Sequence, residues 1–400
     1  MTHAQSRSAQ MLDTEIISLR RTFHACPELG MENPVTADII IRYLRGIGVT
    51  DIKSGLGEGT GITAIIQGEQ AGKCLALRAD TDGLPVIEKT GLPFASVNGK
   101  AHACGHDAHM AMLLGAARLL VEKRHQICGT VKLIFQPGEE IGIGAKKLVA
   151  AGVLEDPHVD AIAGQHTGSL FDGISSGEIG YFPDRFGFCV TRIDAVFHGR
   201  GGHTSRQHEA VDAILIACHA VTQLQAVMSR ERKCDSPAVI SIGTINGGVK
   251  NNIIADSCAV SGTIRSKDPA EQRFYEERTE KIFCSTANSF RGSCFVSFPF
   301  RLDSTPIDPH MLAIFKSSAI KVVGGARIKP VTAANAVGDD FSEYCLDRPG
   351  LYWYHGSAPD ADPIYPHHHP QFDIDEKPLG DGARLLAQFA LDWLQKGGKK

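Results

Sequence analysis

The sequence predicts an α/β fold, a mixed sheet flanked by helices, into which a smaller α+β domain is inserted. Three observations lead to this prediction. Apolar residues in the first part of the chain recur alternately at the spacing of helices and of strands. The middle part changes to a βαββαβ order, and the last part returns to the first pattern. An α/β domain interrupted by an insertion accounts for all three.

The first part of the chain alternates between helices and short strands. Apolar residues at helical spacing predict helices over 11–23, 34–47, 106–122 and 145–151. Short apolar runs predict strands over 62–66, 74–77, 131–136 and 160–165. Such alternation is typical of a parallel or mixed sheet covered on both faces. Functional groups of these sheets gather at the carboxyl ends of the strands.

The middle of the chain has its own order of elements. Its pattern predicts a strand, a helix, two strands, a helix and a strand, over 189–197, 209–229, 238–245, 258–265, 269–290 and 294–300. Helices and strands then alternate again over 309–323, 340–346, 351–354 and 376–395. We therefore predict that residues 1–187 and 302–400 form one domain and that 188–301 form an inserted one.

Composition and charge exclude several classes of protein. A chain of 400 residues is longer than most single hydrophobic cores, so two domains are expected. With 41 basic and 45 acidic residues the net charge is only -4, which gives no sign of the excess positive charge typical of a nucleic-acid-binding protein. No apolar run approaches the ~20 residues of a membrane span, and the N-terminus lacks the apolar segment of a secretory signal. We expect a cytoplasmic protein with a small-molecule substrate and no membrane partner.

Histidine, cysteine and acidic residues gather where predicted strands end or helices begin. The clusters are His102–Asp107, Glu139–Glu140, His166 and His367–His369. Thiolate, imidazole and carboxylate groups from several strand ends suit a metal site of the zinc or manganese kind. In an acidic pair, one carboxylate can bind metal while the other transfers a proton, as in metal-assisted hydrolysis. Since the last cluster follows the middle segment, a shared site requires both flanking parts to form one domain.

Each cluster also has a simpler interpretation. The 11 cysteines are scattered without paired spacing, which is typical of reduced core residues, and Cys104 can be one of them. It can also be a nucleophile activated by His106, although neighbours in sequence seldom have that geometry. Metal binding requires only that both side chains reach one centre from a helix start, where the helix dipole favours a thiolate. Paired glutamates are usually solvated, and a lone histidine after an apolar strand is usually a core residue.

Six motifs resemble the M20 metallopeptidase family. They are RRTFHACPELG at 20–30, LRADTDGLP at 77–85, HACGHD at 102–107, FQPGEE at 135–140, GRGGHTS at 199–205 and GDDFS at 338–342. They occur in the family's order over nearly the whole chain, and they are most similar to the branch that hydrolyses N-acyl amino acids, indoleacetyl amino acids and hippurate. The resemblance implies a zinc-peptidase-like α/β domain with an inserted lid that also forms the dimer.

The resemblance also implies a set of metal ligands for two divalent ions. The ligands it assigns are Cys104, His106, Glu140, His166 and His368. Cys104 takes the bridging position, and Asp80 is expected to orient a ligand imidazole. The pattern itself does not decide which of His367, His368 and His369 is the ligand. The family's histidine lies two residues before a proline, and the resemblance therefore selects His368. Mixed sulfur, nitrogen and oxygen ligands suit manganese, zinc, cobalt or nickel.

The remaining roles implied by the resemblance concern catalysis and substrate binding. Glu139 is assigned as general base. His203 and Asn252 are assigned as donors to the developing oxyanion or the substrate carboxylate, commonly in the partner subunit's site. Arg265 is assigned as a planar clamp for the carboxylate. From residues alone, the segment with His203 also reads as a glycine-rich hairpin with ordinary polar loop residues.

The predicted function is a metal-dependent hydrolase of linear amides, of the aminoacylase or hippurate hydrolase type. It cleaves the amide bond of an N-acyl amino acid with a metal-activated water, and it acts as a homodimer, with a tetramer as the other assembly. The alternatives are an M20-type dipeptidase or carboxypeptidase, and a relative that binds metal and ligand without catalysis. A cysteine hydrolase is a further alternative. The loops do not reveal the acyl group or the preferred amino acid.

Overall fold

The computed structural model describes residues 3–331 and 337–397, and the contacts among them divide the chain into two units. The first unit runs to Phe186 and resumes over the described residues from Thr305 to 331 and from Asp339 onwards. The second unit contains Gly187–Ser304. The predicted insertion, residues 188–301, falls within this second unit.

Eight α-helices lie in the described residues. In chain order they are α1 His3–His24, α2 Pro34–Gly46, α3 His106–Glu122, α4 Gly144–Ala150, α5 Ala213–Ala226, α6 Pro269–Ser289, α7 Pro309–Val323 and α8 Leu379–Gly397. Helices α5 and α6 belong to the second unit and the others to the first. None of the helices in the described part of the chain is long and apolar enough to cross a membrane.

The strands of the described residues form one large sheet in the first unit, a smaller sheet in the second, and one two-stranded pair in each unit. In chain order they are β1 Ile52–Leu56, β2 Gly61–Gln67, β3 Gln70–Asp80, β4 Cys128–Gln136, β5 Ala161–Gly168, β6 Ile179–Tyr181, β7 Arg185–Phe186, β8 Cys189–His198, β9 Gly202–His203, β10 Ala238–Gly247, β11 Ile253–Ile254, β12 Ser257–Ser266, β13 Ser293–Ser297, β14 Arg301–Leu302, β15 Thr305–Pro306, β16 Ile328–Pro330 and β17 Gly350–Gly356. The large sheet has the order β1-β2-β4-β3-β5-β17-β6-β16, and the two-stranded pairs are β7–β15 in the first unit and β9–β11 in the second.

Parallel pairing at the centre of the large sheet positions the site. Strand β3 runs parallel to both β4 and β5, and β5 runs parallel to β17. Asp80 at the end of β3 lies opposite Gln136 at the end of β4, so the segments that follow both strands leave the sheet at the same edge. These central strands are buried along most of their length, as expected for a sheet covered on both faces.

Helix α3 begins at this edge and is buried on nearly every side. Its residues from His106 to Ala117 are all buried, and it packs against α1 and α8. A helix apolar all round is typical of a core position. The start of α3 is therefore fixed beside the carboxyl ends of the strands, which is where the sequence places a cluster of potential ligands.

The second unit follows the predicted βαββαβ order as β8, α5, β10, β12, α6 and β13. Its sheet has the order β10-β12-β8-β13, and α5 and α6 pack against it around Phe197, Ile264 and Phe283. Helix α5 begins at Ala213 rather than at residue 209, because the Asp212 carboxylate accepts hydrogen bonds from the first free backbone N–H groups of the helix. The predicted element over 340–346 forms a 3-10 helix.

Candidate metal centre

Three chain segments bring potential ligands to the carboxyl edge of the large sheet. Cys104 and His106 flank Gly105, whose φ of 89° lies in the left-handed region that glycine adopts without strain. Glu139 and Glu140 follow β4, and His166 lies near the end of β5. All of these predicted residues meet in one region of the first unit.

The potential ligand atoms form two groups that share one sulfur atom. Cys104, His106 and His166 contribute one group, and Cys104, Glu140 and His368 contribute the other, with the atoms of each group within 4.8 Å of one another. The Cys104 Sγ lies 3.6 Å from His166 Nε2, and His368 Nε2 lies 3.5 Å from Glu140 Oε2. Two groups with a common thiol sulfur would suit a pair of metal ions, with Cys104 as a candidate ligand in both groups.

The hydrogen bonds of the two buried imidazoles leave one nitrogen of each ring free for a metal. His106 Nδ1 lies 2.8 Å from the Asp82 carbonyl, and His166 Nδ1 lies 2.9 Å from the Thr167 carbonyl. A carbonyl only accepts, so Nδ1 carries the proton and Nε2 presents a lone pair. The Nε2 of His106 and the Oε1 of Glu140 are buried and have no hydrogen-bond partner among the described residues. Such orphan atoms are costly unless something binds them, so this donor set fits metal ions.

The turn with the two glutamates is held by Asp82. The Asp82 carboxylate accepts hydrogen bonds from the backbone N–H groups of Glu139, at 3.0 Å, and Glu140, at 3.1 Å. Gly138 adopts a φ of 77°, and a Cβ there would lie 2.4 Å from Met31 Sδ. Glycine at this position therefore allows a left-handed turn closely covered by a methionine side chain.

The electrostatics of the cluster favour a bound cation. Burial, reinforced by Asp339, raises the pKa of Glu139, and burial with Asp80 raises the pKa of Glu140 to about 7. Burial also raises the pKa of the Cys104 thiol and lowers that of His106 to about 4. Acids whose pKa is raised and an imidazole whose pKa is lowered describe a buried site short of positive charge, and divalent ions would supply that charge.

Asp80 contacts two imidazoles. Its Oδ1 bonds His109 Nδ1 at 2.6 Å, and its Oδ2 lies 3.5 Å from Nε2 of the ligand candidate His106. His109 Nε2 accepts the Thr167 N–H at 2.9 Å, so both of its ring nitrogens are occupied. His106 Nδ1 bonds a backbone carbonyl, that of Asp82, a contact that leaves no signal in the sequence. The role of Asp80 towards a ligand imidazole stays a prediction.

A buried arginine ties the strands beneath the site together. The Arg78 guanidinium, 2% exposed, donates to Gln136 Oε1 at 2.9 Å, Asp80 Oδ2 at 2.8 Å and Asp339 Oδ1 at 3.1 Å. Asp340 accepts from Gln136 Nε2 at 2.7 Å and from the Ala145 N–H at 2.9 Å. These bonds fix both ends of the segment that carries the two glutamates. Sequence reasoning missed this network, although an arginine in the apolar run of β3 signals a buried ion pair.

The three consecutive histidines, His367 to His369, lie in three different environments. His368 has a φ of 67°, its N–H donates to the Ala103 carbonyl at 2.7 Å, and its ring reaches Glu140. His367 Nδ1 lies 3.6 Å from Cys104 Sγ. The His369 ring stacks on Tyr365 with centroids 4.6 Å apart. Of the three, His368 is the one that shares a ligand group, and its left-handed backbone is the kind of strain found at functional sites.

The candidates of the second unit lie at opposite ends of β12. His203 and Asn252 line one cavity of about 560 Å³, which Ser257 at the start of β12 also lines. The His203 Nδ1 accepts the Ser205 N–H at 3.1 Å, which leaves Nε2 for another partner. Arg265 lies near the end of β12, about 26 Å further along at ~3.3 Å per residue, and its guanidinium donates to Thr263 Oγ1 at 2.9 Å.

An α/β unit whose sheet edge carries two groups of candidate metal ligands, interrupted in sequence by an α+β unit, is the arrangement expected of a two-domain metallohydrolase. Residues 76–392 match the model of Peptidase family M20/M25/M40, and the chain belongs to this family. It is a hydrolase, and the resemblance inferred from the motifs is confirmed.

Individual relatives are similar over nearly the whole chain. Thermostable carboxypeptidase 1 of Saccharolobus solfataricus is 36% identical over 95% of this chain and 96% of its own. N-acetyl-L-cysteine deacetylase of Bacillus subtilis is 36% identical over 95% of this chain and 88% of its own. The crystal structure of a Bacillus subtilis dinuclear metal binding peptidase from the M20 family matches with a TM-score of 0.84 at 30% identity, over 97% of this chain and 99% of that one. The predicted fold class is thereby confirmed.

Proposed function

We propose that the protein is a metal-dependent amidohydrolase that cleaves N-acyl amino acids into a carboxylic acid and a free amino acid. The observation that carries the proposal is the pair of ligand groups sharing Cys104, with Glu139 Oε2 only 3.9 Å from His106 Nε2. A carboxylate beside such a ligand set suits hydrolysis assisted by metal. The similarity to an enzyme named N-acetyl-L-cysteine deacetylase supports an acylated amino acid as substrate.

The ligands of this proposal are Cys104, His106, Glu140, His166 and His368, and they hold two divalent ions of manganese, zinc, cobalt or nickel. Bound ions of this kind supply Lewis acidity, which lowers the pKa of a coordinated water from ~15.7 to about 7. The side chains of the protein supply the geometry. The turn fixed by Asp82 sets the two glutamate side chains next to each other, so one can bind metal while its neighbour faces the substrate.

Glu139 moves the proton in this proposal. Its carboxylate takes a proton from the attacking water and delivers it to the nitrogen of the leaving amine. Burial and the charge of Asp339 raise the pKa of Glu139, which makes its carboxylate a stronger base than a solvated one. The Arg78 and Asp340 contacts described above keep the turn in place while the proton moves.

The second unit acts as a lid and dimerisation domain in this proposal. His203 and Asn252 donate to the oxyanion or the substrate carboxylate, and Arg265 clamps the carboxylate. His203 lines a cavity with Ser257, which lies about 26 Å along β12 from Arg265, and this supports the assignment of His203 and Arg265 to two different sites of a homodimer, the first in the partner's site. A tetramer assembled from such dimers keeps the same contacts.

An exposed edge strand supports the dimer. β10 ends the sheet order of the second unit, and its side chains Val239 and Ile245 are 43% and 44% exposed. An apolar edge strand of this length is usually covered by another chain or protected from pairing.

The 11 cysteines, all free, support a reducing compartment such as the cytoplasm.

A carboxypeptidase is the second candidate, and the similarity to thermostable carboxypeptidase 1 favours it. Both reactions cleave an amide bond beside a free α-carboxylate, and a clamp such as Arg265 serves both. The two differ in the group on the other side of the bond, which is a simple acyl group in one case and a peptide in the other.

One screen tests both candidates. The metal-depleted protein, before and after addition of manganese, zinc, cobalt or nickel, is incubated with N-acetyl, N-benzoyl and indoleacetyl amino acids and with N-blocked peptides, and free amine is measured. Amine release from acyl amino acids only after metal addition is expected. Preferential cleavage of blocked peptides would select the carboxypeptidase. Full activity without metal, abolished by thiol alkylation, would instead identify a cysteine hydrolase.

A further inference from the structure

Building on the proposed function, we infer that His367 is a positioning residue of the metal centre, which donates a hydrogen bond from Nδ1 to the sulfur of Cys104. The two atoms lie 3.6 Å apart, a distance that suits a hydrogen bond to sulfur, which is a larger and weaker acceptor than oxygen. The motif analysis considered His367 only as an alternative metal ligand. Its contacts give it a different role.

The hydrogen bond on the far side of the ring defines which nitrogen carries the proton. The backbone N–H of Ser169 donates to His367 Nε2 at 3.1 Å. A backbone N–H only donates, so Nε2 presents a lone pair to it, and the proton of the neutral imidazole resides on Nδ1. This is the nitrogen that faces the Cys104 sulfur.

The position of the ring is fixed by its surroundings. It lies between His166, with centroids 5.4 Å apart, and Phe372, with centroids 4.4 Å apart. Gly168 borders it on another side, and a Cβ at that glycine would lie 2.1 Å from His367 Nε2. Only glycine at 168 leaves room for the imidazole, so the end of β5 is built to accommodate the ring at this position.

Both ring nitrogens of His367 are therefore engaged, whereas His368 extends its Nε2 to Glu140. A hydrogen bond to a ligand sulfur withdraws electron density from it and orients its lone pairs. His367 thus limits how strongly the Cys104 thiolate donates to either of two ions that share it. Without this bond, the sulfur becomes a stronger electron donor.

Cobalt provides a readout that does not depend on activity. Cobalt(II) bound to a thiolate has a sulfur-to-metal charge-transfer band in the near ultraviolet, and an electron-richer sulfur moves this band to longer wavelength. His367→Phe keeps an aromatic ring against Phe372 but removes the donor, and His367→Leu is a second such variant. His367→Asn retains an N–H near the position of Nδ1. The matched control is His369→Leu, since the His369 ring stacks on Tyr365 instead.

We expect His367→Phe and His367→Leu to keep the cobalt content of the wild type and to shift the band to longer wavelength. His367→Asn should return it towards the wild-type position, and His369→Leu should leave it unchanged. An unshifted band in both donor-free variants would overturn the inference, and so would the loss of one cobalt per chain, which would make His367 a ligand. A wild-type band that survives Cys104→Ser would instead contradict the proposed ligand set, so the two failures are distinguishable.

Discussion

At the scale of single residues, Glu139 and Glu140 differ in their surroundings although they are neighbours. Glu140 directs Oε2 towards His368 and leaves a buried Oε1 without a hydrogen-bond partner among the described residues. Glu139 is subject to the charge of Asp339, which raises its pKa together with burial. The pKa of Glu140 is raised as well, so the pKa does not separate the two residues. The feature that separates them is the orphan oxygen of Glu140, which is typical of a ligand.

Glu139→Gln is therefore expected to retain both metal ions and to lower kcat by about 100 to 10,000-fold, because it removes a base and spares the ligands. Glu140→Gln is expected to lose metal. Elemental analysis of both purified variants, with kcat measured on the same samples, checks the assignment. Metal loss in Glu139→Gln together with retention in Glu140→Gln would show that the two roles are reversed.

Asp82→Asn tests the turn that carries both glutamates. The Asp82 carboxylate accepts hydrogen bonds from two backbone N–H groups, one on each oxygen. The asparagine side chain has only one oxygen, so its NH₂ group would face one of these two N–H donors. We expect the free energy of unfolding to fall by ~1 to 3 kcal/mol and metal affinity to fall with it. Urea unfolding and metal titration measure the two quantities. Exposed Asp172→Asn is the control, and equal behaviour of the two variants would remove Asp82 from this role.

The sequence indicates which residue types gather at the site but not how they are supported. Cys104, His106, Glu140 and His166 can be chosen because each lies where an element begins or ends. Asp82, in contrast, acts through partners more than 50 positions away, and its carboxylate bonds main-chain atoms that every residue possesses. Such contacts depend on the register of strands, which a single sequence does not specify.

At the scale of elements, long periodic segments are predictable and short paired ones are not. The predicted helices over 106–122 and 309–323 coincide with α3 and α7. β9 and β11 contain two residues each and carry no periodic pattern, because they exist only through pairing with each other. The pair nevertheless places His203 opposite Ile253, next to Asn252. Two strands that the periodicity of the sequence does not predict therefore position a candidate site.

A buried ion-pair network links the end of α1 to the start of α3 and provides a test by pH. His24 Nδ1 lies 2.7 Å from Asp107 Oδ2, and His24 Nε2 lies 3.0 Å from Glu88 Oε1. Burial lowers the pKa of His24, but these two carboxylates outweigh burial and raise the pKa from 6.5 to about 9. A histidine with a raised folded-state pKa stabilises the fold in full below its unfolded pKa, and this stabilisation is lost as the pH rises through the folded value.

We therefore expect the wild type to lose roughly 3 kcal/mol of unfolding free energy between about pH 6 and about pH 10, beyond any loss in His24→Gln. Denaturant unfolding of both proteins across this range measures the difference. The exposed His125→Gln variant is the control and should follow the wild type. Parallel pH profiles for wild type and His24→Gln would show that the His24 imidazole is not held in its charged form.

At the scale of the whole molecule, the proposed function divides its candidate residues between the two units. The ligand candidates all lie in the first unit, whereas His203, Asn252 and Arg265 lie in the second. Ser257, which lines the same cavity as His203, lies about 26 Å along β12 from Arg265, and this favours separate sites for His203 and Arg265. In the proposed twofold dimer, each site would take His203 from one subunit and Arg265 from the other.

Mixed dimers test this exchange directly. His203→Ala and Glu139→Gln are each expected to be nearly inactive as homodimers. When they are mixed and allowed to exchange subunits, about half of the molecules become heterodimers, in which one of the two sites has both an intact base and an intact donor. Activity should therefore recover to about a quarter of the wild-type value, as measured by amine release.

The matched control uses two defects that lie in the same unit. A mixture of Cys104→Ser and Glu139→Gln should stay inactive, because neither site of a heterodimer then has both a complete ligand set and its base. Mass analysis confirms that the subunits have exchanged. If the mixture of His203→Ala and Glu139→Gln stays equally inactive after exchange, His203 acts within its own chain or has no role in catalysis. Dimer formation would then not be needed to complete the site. Recovery in the first mixture alone can arise only if each subunit completes its partner's site.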